Sequence, residues 1–148
     1  MFASLTGLED VSFKVADGEK KSITNLDSAF YHAENLQRLD FSNFDNSNLT
    51  AIKFAFCECQ KLTEIKGLNK LDVSSVTSLY DLFQNCYLLD NLEIEDWNTE
   101  NVTNMSSVFY GCRAITDLDL NNWNTSKVTK FDNMFNDCSK IRSIKLNS

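Results

Sequence analysis

Proline is absent from the 148 residues and glycine occurs four times. Long flexible linkers are therefore excluded, and turns must be made by Asn, Asp and Ser, whose side chains can bond to nearby backbone. Histidine occurs once, at His32, which excludes any site needing two imidazoles. No run of 18 apolar residues is present, so no helix of this segment spans a bilayer. The first ten residues, MFASLTGLED, lack the basic region and apolar stretch of a signal peptide. Positive charge is scarce as well: 14 Lys and Arg face 21 Asp and Glu, a formal net charge of −7. That balance argues against nucleic acid and anionic lipid as partners. No phosphate loop, dinucleotide fingerprint, nucleophile elbow or zinc-protease motif occurs. No nucleophile, base and orienter can be assembled, so the chain reads as a non-enzyme without a cofactor or metal.

What the chain does contain is a repeat. Phe30, Phe56, Phe83, Phe109 and Phe135 are spaced by 26, 27, 26 and 26 residues, with Phe2 in phase. The same register holds for Cys59, Cys86, Cys112 and Cys138, with Ala33 in that place earlier. It holds again for Leu36, Leu62, Leu89, Ile115 and Ile141, for Leu39, Ile65, Leu92, Leu118 and Ile144, and for Thr50, Thr77, Thr103 and Thr129. The units run over 1–28, 29–54, 55–81, 82–107, 108–133 and 134–148 of one repeat domain, expected to be part of a longer array. Asp17-Gly18 marks a turn inside the longer first unit.

Each unit carries two patterns. Met105, Val108, Phe109 and Cys112 fall at i, i+3, i+4 and i+7, one face of a short helix, with Thr103 placed to cap it. Gly111, Asn85, Asp137 and His32 stand at its end, where a left-handed residue is favoured. Leu118 and Leu120 then alternate with Asp117 and Asp119, as in a short strand. A unit of this kind buries its apolar face only against its neighbours. Strands stack about 4.8 Å apart and helices about 8–10 Å apart. The expected fold is therefore α/β: a leucine-rich-repeat-like, right-handed solenoid with short parallel strands on the concave face and short helices on the convex face. On that geometry the four ladder cysteines are free and buried. Cys57, aligned with Gln84, Tyr110 and Asn136, is expected to be exposed and is the candidate reactive thiol. Trp97 and Trp123 align with Phe44 and Leu71 and read as a core corner, with sugar stacking as the other reading.

The stretches LEIEDWNTENVTNMSSVFYGCRAI and LDLNNWNTSKVTKFDNMFNDCSKI closely resemble the repeat of BspA-like leucine-rich-repeat proteins. Residues 66–73, KGLNKLDV, depart from that pattern, and the first unit keeps little of it. The resemblance implies a bacterial surface protein or lipoprotein, including those of mycoplasmas, that is displayed or secreted and serves adhesion or partner binding. It brings no catalytic residues.

The outward strand positions suggest where a partner would bind. Asp40, Glu93, Glu95, Asp117 and Asp119 form an acidic run on the expected concave face. The expected ligand is a host or neighbouring surface protein, with a glycan as a second class. Weak Ca²⁺ binding and a plain solvated face are the other readings of these carboxylates. A structural spacer and an intracellular interaction scaffold are the alternatives to an adhesive module, the last with a cytoplasmic location.

Overall fold

The fold follows from where the backbone N–H groups of each Phe-centred segment go. In the computed structural model, which describes residues 2–13 and 21–146, they alternate between two acceptors. Within units, Ala29 bonds to Leu26, Tyr31 to Ser28 and Ala33 to Phe30, each closing a tight turn. The residues between them bond across units: Leu26 to Ala51, Ser28 to Lys53, Phe30 to Ala55 and His32 to Cys57. The pattern recurs at Phe83, Asn85, Phe109 and Gly111, which donate to Val108, Tyr110, Met134 and Asn136.

This alternation overturns the convex helices. The one helical element among the described residues is a 3₁₀ turn at Leu68–Lys70. Two residues per unit have left-handed backbone: Ser28 and His32, Phe54 and Glu58, Asp81 and Asn85, Ser107 and Gly111, Asn133 and Asp137. A right-handed helix cannot pass through such positions, which cost a non-glycine residue about 1–2 kcal/mol. Here the strain is offset because the turned N–H reaches the next unit. The helical face read at Met105, Val108, Phe109 and Cys112 is real as a buried stripe, since all four are fully enclosed. Its backbone is a chain of turns.

The strands are few and short. β1 (Asp10–Ser12), β3 (Arg38–Asp40) and β5 (Glu64–Lys66) form one parallel sheet. β2 (Lys21–Ser22) pairs with β4 (Phe44–Asp45), and β6 (Asp117–Leu120) pairs with β7 (Ser143–Leu146). Leu39 stands opposite Val11 and Ile65, and Leu118 opposite Ile144, so the repeat register is the pairing register. No continuous concave sheet forms, because residues 91–94 pair with neither β5 nor β6. The α/β leucine-rich-repeat-like solenoid is thus not the architecture. The expected mismatch between helical and strand layers goes with it.

Ring spacing gives an independent measure. Phe2, Phe30, Phe56, Phe83, Phe109 and Phe135 form a near-parallel column with centroids 5.4–6.0 Å apart. Helices lying side by side would hold them at about 8–10 Å. Beside this column lie Leu36, Leu62, Leu89 and Ile115, all buried in one core cluster. The Trp97 and Trp123 rings are buried and stacked at 6.1 Å, and their Nε1–H groups donate to the Leu68 and Ile94 carbonyls. They form the core corner, with no ring face open to a sugar.

Small polar residues replace glycine and proline in the turns. The Oδ1 atoms of Asn25, Asn98, Asn104 and Asn124 accept the N–H two residues on, as do those of Asp40, Asp72 and Asp119. Thr103 is not a helix cap. Its hydroxyl and its N–H both donate to the Thr77 carbonyl, and Thr129 does the same to Thr103. The Asp17-Gly18 turn lies outside the described residues.

Four substitutions test this account by chemical denaturation. Phe83→Ala should destabilise by about 3–5 kcal/mol, since it opens a gap in a fully buried column. Thr103→Val keeps the shape and removes the rung hydroxyl, with an expected loss of about 0.5–1.5 kcal/mol. Ser28→Gly relieves a left-handed serine and should be neutral or stabilising by up to about 1 kcal/mol. Gly111→Ala should be clearly destabilising, because the new Cβ would meet the Asn85 side-chain oxygen at a backbone φ of +69°. Helices through 26–33 and 105–112 would reverse the last two signs.

Candidate functional site

The residues that face outward from the strands are ordered by the parallel register, which stacks equivalent positions of successive units. Most of the acidic positions thereby meet a cation from the following unit. Asp40 lies 3.5 Å from Lys66, Asp117 lies 3.7 Å from Arg142, and Asp119 lies 2.9 Å from Lys145. Asp10 and Arg38 make the same kind of pair at 2.9 Å. These pairs are exposed, so each contributes little to stability. They do remove the net charge expected of a continuous acidic strip.

Glu93 and Glu95 are different. Both are exposed, and neither has a hydrogen-bond or ion-pair partner among the described residues. They belong to the segment that joins no sheet. Between β5 and this segment lies a cleft of about 130 Å³ lined by Thr63, Glu64, Ile65, Lys66, Gly67, Asn91 and Glu93. Gly67, with φ +77°, turns the chain directly into the 3₁₀ turn, and a Cβ there would meet the Phe41 and Ser42 backbone. The unit is one residue longer than its neighbours, and β5 and residues 91–94 form no ladder. Both sides of the cleft therefore present backbone groups without strand partners.

Of the five acidic residues read from the sequence, the structure leaves Glu93 and Glu95 open and commits Asp40, Asp117 and Asp119 to pairs. The sequence reading missed the cleft. The Asp40 carboxyl is held below the usual carboxylate range by the Ser42 hydroxyl and N–H, with Lys66 adding to the effect. The Lys145 ammonium and then the Asn121 N–H do the same for Asp119. Among the described residues no three His, Cys, Asp or Glu side chains converge to hold a metal. No helix among the described residues is long and apolar enough to cross a membrane.

The exposed thiol expected at Cys57 is overturned. Cys57 is 3% exposed, and the Gln84 amide oxygen, from the next unit, lies 3.6 Å from its Sγ. A short side chain in a ladder is shaded by a longer neighbour, which alignment of positions does not reveal. Burial pushes its pKa up to about 12. Cys59, Cys86, Cys112 and Cys138 are free, and each Sγ–H donates to the carbonyl of a ladder Phe in the preceding unit, at 2.9–3.2 Å. Burial raises the Cys59 pKa to about 12 as well. Cys138, half-buried in the last unit, is the most accessible of the five.

A family model described as Mycoplasma protein of unknown function, DUF285, matches the chain at residues 1–91 and again at 50–147. The overlap of the two matches reflects the repeat. No curated protein and no solved structure matches.

Two outcomes follow from the site geometry. Iodoacetamide at neutral pH should label Cys138 first and leave Cys57 unmodified until the chain unfolds, as read by peptide mass spectrometry. Rapid labelling of Cys57 in the folded protein would return it to the surface. For Asp40 and Asp119 the folded pKa lies below the ordinary value of 3.8. Their contribution to stability is then complete above that value and is lost as pH falls through the folded pKa. Carboxyl carbon NMR titration should show both ionising below 3.8, and Lys145→Ala should move Asp119 upward.

Proposed function

The chain belongs to the DUF285 family, and we propose that it is a protein-binding module without catalysis, displayed at the cell surface. The observation that carries this reading is the break between β5 and residues 91–94. There Glu93, whose carboxylate is unpaired, lines a cleft between the open edge of β5 and residues 91–94, and the unpaired Glu95 follows two residues on. Such a place suits a basic, extended stretch of a partner protein. Its main chain could bond to the open edge while its Lys or Arg side chains meet the two carboxylates. The paired aspartates on either side would keep the attraction local. Leu88, exposed just before this segment, offers an apolar contact nearby.

Surface display and a lipoprotein context draw their support from the resemblance of residues 92–141 to BspA-like repeats. A spacer role is favoured by one observation, the unbroken Phe column, which stiffens the stack along its length. An intracellular scaffold is favoured by the five free thiols, which suit a reducing compartment.

Glu93→Lys with Glu95→Lys should weaken binding of Lys- and Arg-rich peptides, taken from a displayed library, by at least about tenfold, an electrostatic loss of about 1.4 kcal/mol or more. Thermal stability should be unchanged, and binding by the unaltered protein should fall with salt. Equal binding by both proteins would remove the cleft from the argument. Protease treatment of intact cells should release peptides of this segment; their retention would favour the intracellular scaffold.

A further inference from the structure

We propose that a pocket between the second and third units binds a single neutral sugar ring. The pocket has a volume of about 220 Å³, and its lining includes Phe41, Phe44, Asn46, Lys70 and Asp72. It is separate from the cleft at Glu93. In the later units Trp97 and Trp123 occupy this corner, and Leu71 stands in their place here. Lys70 takes the position of Asp96 and Asn122, which bond to each other across units at 3.4 Å. Lys70 itself has no hydrogen-bond or ion-pair partner among the described residues.

Asn46 carries the argument. It is 8% exposed, and its Oδ1 accepts the Asp72 N–H at 2.8 Å. That bond fixes which way the amide faces. The Nδ2 group has no acceptor among the described residues. No enclosed side-chain nitrogen or oxygen among them lacks a partner, so Nδ2 is reached by solvent, and the opening beside it is the pocket. A nearly buried amide with two unused N–H donors is costly unless something accepts from it.

The other polar groups narrow what that something is. Asp72 uses Oδ1 for the Ser74 N–H, which leaves Oδ2 as an acceptor. The Ser42 and Ser47 hydroxyls are committed to Asp40 and Asp45. The ligand therefore meets donors at Asn46 and Lys70 and an acceptor at Asp72. A simple anion would stand against the Asp45 and Asp72 carboxylates. A simple cation would stand against Lys70, and an apolar group would leave the Asn46 amide unpaired. A hydroxyl both donates and accepts, and neighbouring hydroxyls on one ring satisfy all three groups together. The ring's C–H face suits the aromatic part of the lining, Phe41 and Phe44.

Amide nitrogen NMR of the 148-residue chain, titrated with glucose, galactose, mannose and N-acetylglucosamine, tests this. At least one sugar should shift the Asn46 side-chain signals, with a dissociation constant in the millimolar range. Asn46→Asp keeps an oxygen for the Asp72 N–H and removes the donors. Lys70→Met removes an exposed ammonium and should leave the melting temperature unchanged. Each should weaken sugar binding at least about tenfold. If Asn46→Asp does not fold, Lys70→Met decides. The Glu93→Lys, Glu95→Lys protein should bind sugar as the unaltered chain does. Four results would each overturn the proposal: no sugar shifting Asn46, full binding by Lys70→Met, loss of binding in the Glu93→Lys, Glu95→Lys protein, or glycine or acetate shifting Asn46 where sugars do not.

Discussion

The hydrogen bond from every second N–H of a Phe-centred segment to the next unit is the constraint on which the rest depends. It fixes the spacing between units near that of paired strands, even where no strand forms. At that spacing the Phe rings stack face to face, and the thiol of each ladder Cys reaches the carbonyl of a Phe one unit back. The same bond requires a backbone that turns its N–H alternately inward along the unit and across to the next. Two left-handed residues per unit provide the turn. The core is therefore a consequence of backbone pairing as much as of apolar burial: wider spacing would separate the rings, and a regular helix would withdraw the donors.

The side chains follow the same rule. A parallel stack in constant register brings like positions together, which is favourable for Phe, Leu and Thr and unfavourable for carboxylates. Asp40 and Lys66, Asp117 and Arg142, and Asp119 and Lys145 relieve that repulsion by placing a cation near each acid in the following unit. Glu93 and Glu95 lie where the ladder is interrupted, and the interruption leaves them without such a partner. A gap in backbone pairing and a gap in charge pairing thus fall at one place on the molecule.

Much of this was legible in the sequence. The period, the buried ladders of Phe, Leu and Cys, the Trp97 and Trp123 corner and the use of Asn and Asp in turns all follow from spacing and residue type. Secondary structure did not. The stripe formed by Met105, Val108, Phe109 and Cys112 has helical periodicity, and periodicity reports which side chains are buried without reporting where the backbone donors go. Gly111 and Asn85 signalled one left-handed position in each unit; the second, at Ser28, Phe54 and Ser107, carries residues with no such signature. Cys57 was misplaced for a related reason. Its alignment gave the direction of the side chain, while its burial depends on the length of Gln84 in the next unit. Of the acidic face, the residues were readable and their pairing was not, since pairing depends on which units are in hydrogen-bond register.

The unit-to-unit bonds also have a mechanical meaning. Each unit is held chiefly by its two neighbours, and the described ends, Phe2 and Leu146, belong to the first and last units. A tensile load applied through the chain would peel the outermost unit before the next carries any load, so bonds would break in succession rather than together. A load pressing along the Phe column would be shared by every ring in it. The molecule would yield gradually in tension and resist compression, a behaviour set by the direction of its hydrogen bonds.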